Sequence, residues 1–80
     1  MKIYVATYSA HFSDIDDVRG RVFEKTVTLK HAFSSRRDAL VWAYEKQRMI
    51  DAYAQADMLV SVGTLVFEYA SKKVEEIELD

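Results

Sequence analysis

The hydrophobic period of this chain changes twice along its length, and that switch limits the fold more than any other feature. From Lys2 to Ser9 and from Arg21 to Lys30, apolar residues recur at every second position, as strands require. From Arg36 to about Ala56 they recur at the 3.6-residue period of a helix, and past Asp57 that period fails. No proline interrupts any of these runs. The expected order is strand, strand, helix, strand.

In the first strand Ile3, Val5 and Thr7 point one way, and Tyr4, Ala6 and Tyr8 the other. Both sets are fairly apolar, which predicts a central strand or one covered on both faces. Ala10 to Gly20 then brings in His11, Ser13 and three aspartates, and reads as a loop longer than most hairpin connections, with Gly20 as its turn residue. In the second strand Phe23, Val27 and Leu29 mark the core face, interrupted by Lys25. Glu24, Thr26, Thr28 and Lys30 mark the wet face, and the two strands are expected to pair antiparallel.

Ser35 with Asp38 fits a capping box that opens the helix. A single helix predicts one broad apolar stripe of Ala39, Trp42, Ala43, Met49, Ile50, Tyr53 and Ala54, with Leu40 at its edge. Glu45, Arg48, Asp51 and Gln55 fall opposite, and Lys46 snorkels outward from within the stripe. A third strand is expected from about Met58 to Tyr69, with Gly63 as a bulge or bend, or as a turn between two shorter strands. Residues 71–80 read as an edge strand after an Ala70–Lys73 turn, or as an acidic tail. The fold class is therefore α+β: one domain over residues 1–80, with a small antiparallel sheet of three to four strands and one long helix on one face (ββαβ or ββαββ). The other sheet face, carrying Tyr4, Tyr8 and alternate residues of Leu65 to Tyr69, is left for a partner or a homodimer to bury.

Composition removes several functional classes. The chain has 80 residues and no cysteine, which excludes a disulfide framework and a thiolate zinc site, and points to the cytoplasm. Residues 1 to 9 alternate instead of forming the apolar run of a signal peptide, and no stretch reaches the roughly 20 apolar residues of a membrane span. Eleven basic and thirteen acidic residues give a net charge of -2, against the basic balance usual for a nucleic-acid binder. Two glycines cannot build a phosphate cradle, and no nucleotide, hydrolase or metalloprotease motif is present. The expectation is a protein that is not an enzyme, with no metal and no cofactor.

Two charge clusters are the candidate sites. Asp14, Asp16 and Asp17 follow Phe12, and Glu75, Glu76 and Glu78 follow Tyr69. Carboxylates set beside aromatics fit a basic groove on a partner, steering association or mimicking phosphates. The alternative is Lys30, His31, Arg36 and Arg37, gathered near the helix start, where backbone N–H groups assist a phosphate or nucleic-acid contact.

The strand Val22 to Leu29, the turn Phe33-Ser34-Ser35, the helix start Arg36-Arg37-Asp38-Ala39-Leu40-Val41-Trp42 and a closing strand over 58–69 together resemble small phage-encoded inhibitor proteins, such as anti-CRISPR proteins and antitoxin-like host-takeover factors. The resemblance is one of size, composition and element order. It implies a cytoplasmic protein of the infected host that binds and blocks a bacterial defence or toxin component, either a protein or a ribonucleoprotein complex.

Overall fold

A computed structural model describes residues 1–59 and 63–80 of the chain. The element order is β1 (Lys2–Asp16), β2 (Arg21–Phe33), α1 (Arg36–Tyr44), α2 (Gln47–Met58) and β3 (Thr64–Glu78). The strands form one antiparallel sheet in the order β2-β1-β3, and both helices lie on one of its faces. The class is α+β with an antiparallel sheet of three strands, within the expected three to four, and two helices stand where one long helix was expected.

The alternation that marks β1 continues past Ser9. Ala6, Tyr8, Ala10, Phe12, Asp14 and Asp16 are buried, while the odd-numbered positions between them are half-buried on the opposite face. The expected loop at Ala10 to Gly20 shrinks to residues 17–20. Its ends are tied by Gly20 N–H donating to the Asp16 carbonyl at 2.8 Å, with Gly20 at φ 68°. The Asp16 carboxylate accepts from the Val18 and Arg19 N–H groups at 3.1 and 3.2 Å, an aspartate turn that fixes the hairpin.

The final segment is settled in favour of a strand. β3 runs through the expected Ala70–Lys73 turn without stopping and pairs with β1 from Thr64 to Glu78. The irregularity in this ladder lies between His11 and Phe12, where Tyr69 and Phe67 are the partners and Glu68 is the extra residue. Gly63 stands just before β3, and a Cβ there would collide with the Ile15 carbonyl, so the site requires glycine. The expected third strand also began too early: Met58 ends α2, and Val60 to Val62 lie outside the described residues.

The helix breaks at Glu45, whose ψ of 142° is extended, and Lys46 is the N-cap of α2. The cause is a phase conflict among the small residues. Ala39 and Ala43 are fully buried in α1, and Ala52 and Ala56 in α2. Ala43 and Ala52 would sit about two and a half turns apart in one continuous helix, on opposite sides. Breaking the helix lets both alanine pairs face the sheet at close range. Arg48 fills the corner: only 14% of its side chain is exposed, its guanidinium lies 4.6 Å over Trp42, and it pairs with Glu45 and Asp51. The expectation of a wet Arg48 is thereby corrected.

The core has two centres. Tyr8, Ala10, Phe12, Val27, Ala52, Ala56 and Leu65 form one, and Ala6, Ala39 and Ala43 with Tyr4, Phe33 and Val74 form the other. Trp42 touches both. Tyr4 and Tyr8 therefore lie under the helices, not on the free face. The centre of that free face is hydroxyl-rich, with Thr7, Ser9, Thr26, Thr28, Lys30, Ser71 and Lys73, while Val66 and Tyr69 lie on it as exposed apolar residues, as expected of that stretch, and Ile77 and Val22 lie towards its ends. The slab measures 53 × 23 × 18 Å, and its radius of gyration is 15.3 Å. A rounded domain of this length would have roughly 12 Å, so an unusual share of this chain is surface.

Candidate protein-binding surface

The acidic cluster near the hairpin turns inward. Phe12 is 1% exposed and packs edge-on against Tyr53 and Phe67. Asp14 is also 1% exposed, and its Oδ2 lies 3.0 Å from Lys25 Nζ. Its Oδ1 accepts from Gly63 N–H at 3.3 Å. Asp16 is buried by its turn and pairs with Arg19 at 3.6 Å. These three side chains hold the hairpin and the start of β3 together, and none presents its charge or ring to a partner. The lysine that interrupts the β2 core face and the aspartate inside β1 are there for each other. Asp17 alone of this group is exposed, with Thr64 Oγ1 3.5 Å away.

The second acidic group remains at the surface but is locally neutralised. Glu75 pairs with Lys73 at 2.9 Å and Glu76 with Lys2 at 3.5 Å. Glu76 also accepts from the Tyr4 hydroxyl at 3.2 Å, and Glu78 meets the terminal ammonium at 3.5 Å. Tyr69 is stacked on His11 with centroids 4.3 Å apart, six residues up the strand from Glu75, or roughly 20 Å. The structure does not gather Phe12, Asp14, Asp16, Asp17, Tyr69, Glu75, Glu76 and Glu78 into one surface.

The basic set also divides. Lys30 is on the free sheet face opposite Thr7. His31 is on the helix side, 5.9 Å from the Trp42 ring and 4.6 Å from Phe33. Arg36 and Arg37 are exposed in the first turn of α1, where Ser35 Oγ accepts from Asp38 N–H at 3.3 Å as the capping pattern predicted. Among the described residues, no group of three His, Asp or Glu side chains is placed to hold a metal ion. No helix among them is long and apolar enough to cross a membrane, which says nothing about crossing by strands.

What the helix break turns outward is apolar. With alanines against the sheet, Trp42 packs in the core and the Tyr53 ring reaches down to Phe12, while most other large apolar side chains of both helices stay exposed. Ile50 is 58% exposed, Val41 51%, Met49 45% and Tyr53 41%, and Leu40 and Tyr44 are exposed as well. Met49, Ile50, Tyr53 and Ala54 line one open groove of about 480 Å³ on α2. Met49 also borders a second depression with Tyr8, Tyr44, Phe67, Ala70 and Lys72. Tyr53 is fixed in place because its ring meets Phe12 at 5.5 Å and its hydroxyl donates to the Leu65 carbonyl at 2.8 Å. The surface is thus braced from below, and desolvating it costs little because few polar groups lie on it.

Sequence reasoning assigned Met49, Ile50 and Tyr53 to the buried stripe and so missed them as a surface. The spacing of the four alanines carried the signal, since no unbroken helix puts both pairs inward. Comparison with known proteins gives no match: no family model, curated protein or solved structure matches this chain.

Proposed function

We propose that this chain is a non-enzymatic protein-binding domain that acts by occupying a partner's surface, the mode implied by its resemblance to small phage-encoded inhibitors. The observation that carries the reading is the outward apolar face of α2, Met49, Ile50 and Tyr53 on a helix whose inner face is alanine. A small domain that needed these side chains for its own core would bury them. Exposed aliphatic and aromatic groups on a rigid helix are the usual anchors of a helix-mediated contact. The docking surface therefore moves from the acidic hairpin to the helix layer.

The test is affinity capture from bacterial lysate, with nuclease, using the native chain, Ile50→Glu with Met49→Glu, and Asp17→Lys. A stoichiometric protein retained by the native chain and by Asp17→Lys, but lost from the α2 variant with its circular dichroism intact, supports the reading. Capture that survives the α2 change, or that Asp17→Lys alone abolishes, overturns it.

A further inference from the structure

We infer that the outer edge of β3 pairs with the same edge of a second copy of this chain, about a two-fold axis at Val74, to make a continuous six-stranded sheet. β3 is an edge strand of 15 residues, and no strand lies against its outer side among the described residues. Such an edge offers a row of unpaired N–H and C=O groups. What matters is which register another strand would take.

The charges around Val74 select one. In an antiparallel pair centred there, Lys73 lies opposite Glu75 of the second copy and Lys72 opposite Glu76, and symmetry repeats each pairing. Lys73 and Glu75 meet on the free sheet face, and Lys72 and Glu76 on the helix side. Moving the centre by one residue to Lys73 or Glu75 sets two like charges directly opposite each other. A strand guarded against pairing would carry one sign of charge along its edge. This strand carries the sequence Lys72-Lys73-Val74-Glu75-Glu76, which repels itself in the neighbouring registers and matches itself in this one. The Lys73–Glu75 pair already formed within the strand, at 2.9 Å, joins the network and is not displaced by it.

The helix layer agrees with the same axis. Val74 packs against the Ala39–Ala43 centre, which sets α1 beside the proposed seam. Tyr44 leans over the β3 side, with Lys72 Nζ 4.9 Å from its ring, and Leu40 stands one turn earlier on the same side of α1. Tyr44 is 67% exposed and Leu40 39%, and the axis brings both towards their symmetry mates. An even register keeps the helices of both copies on one face, so polar strand pairing and apolar helix contact reinforce each other. The edge of β2 has no such pattern. This inference does not depend on the partner surface at Met49, Ile50 and Tyr53.

The experiment combines sedimentation equilibrium with charge exchange. The native chain is expected to sediment as a dimer at micromolar concentration. The variants Lys72→Glu/Lys73→Glu and Glu75→Lys/Glu76→Lys are each expected to be folded monomers by circular dichroism. Mixed one to one, they restore every opposite-charge pairing and should recover a dimer within tenfold of the native affinity. Val74→Cys, in a chain with no cysteine of its own, should cross-link to its mate under mild oxidation, because directly opposed Cβ atoms lie about 5 Å apart. A native monomer throughout this range overturns the inference. So does a dimer that survives both reversals. Ile50→Glu should leave the dimer intact, which separates this interface from the partner surface.

Discussion

Two regions of this molecule are misread from composition in opposite directions. The carboxylates at 14 and 16 look like a solvated acidic loop, yet both are buried and bonded. The apolar residues from Leu40 to Tyr53 look like a core stripe, yet most of them face away from the sheet. The difference shows that residue type gives the cost of burial, while spacing decides which side chain is buried. Asp14 can enter the interior because Lys25, diagonal to it across the β1–β2 ladder, enters with it. Ile50 can leave because alanines take its place against the sheet.

The largest effect should come from the buried pair. Asp14→Ala leaves Lys25 without the carboxylate it meets and removes the acceptor of Gly63 N–H, so stability should fall by about 3 kcal/mol. In a thermal melt that is a drop of roughly 12–24 °C for a domain of this size. Replacing both partners, Asp14→Leu with Lys25→Met, should recover part of the loss, and a double-mutant cycle measures how much. A neutral Asp14→Ala would mean the acids belong outside after all.

Ser35→Ala should cost about 1 kcal/mol, the usual worth of an N-cap, and denaturant titration would register it. Smaller still is an alkaline effect at Tyr8. Burial raises its hydroxyl above the ordinary value near 10, so the folded state holds that proton more tightly than the unfolded chain does. That contribution is complete below pH 10 and is lost as pH rises through the folded value. Tyr8→Phe should match the native chain near neutrality and lose less stability than it above pH 10. The least effect on stability belongs to the region that looks most like core: Ile50→Ser should stay within about 0.5 kcal/mol of native while weakening partner capture.

Much of the fold is legible before any coordinates. The two N-terminal strands, their antiparallel pairing, the face assignment of β2 and the Ser35 cap all follow from period and capping rules. The length of β1 is less legible, because Phe12, Asp14 and Asp16 keep strand alternation while carrying residues that favour turns. β3 beyond Ala70 is obscured by the same conflict, with Ser71-Lys72-Lys73 reading as a turn until the β1 ladder holds it straight. The helix break needs the alanines at 39, 43, 52 and 56 weighed above the larger residues near them, which inverts the usual rule that bulk marks the core. The candidate surface was hidden by that inversion. Lys25 was visible as an anomaly, but its explanation lay in a strand read as a loop.

Thiol accessibility measures directly which side of α2 faces the sheet. With no native cysteine, Ile50→Cys and Ala56→Cys can each be labelled alone with a small maleimide under native conditions. The account predicts labelling of Ile50→Cys near the rate of a free thiol, and of Ala56→Cys slower by at least an order of magnitude until denaturant is added. Fast labelling at 56 with protection at 50 would contradict it, returning Ile50 to the core and removing the surface on which the proposed function rests.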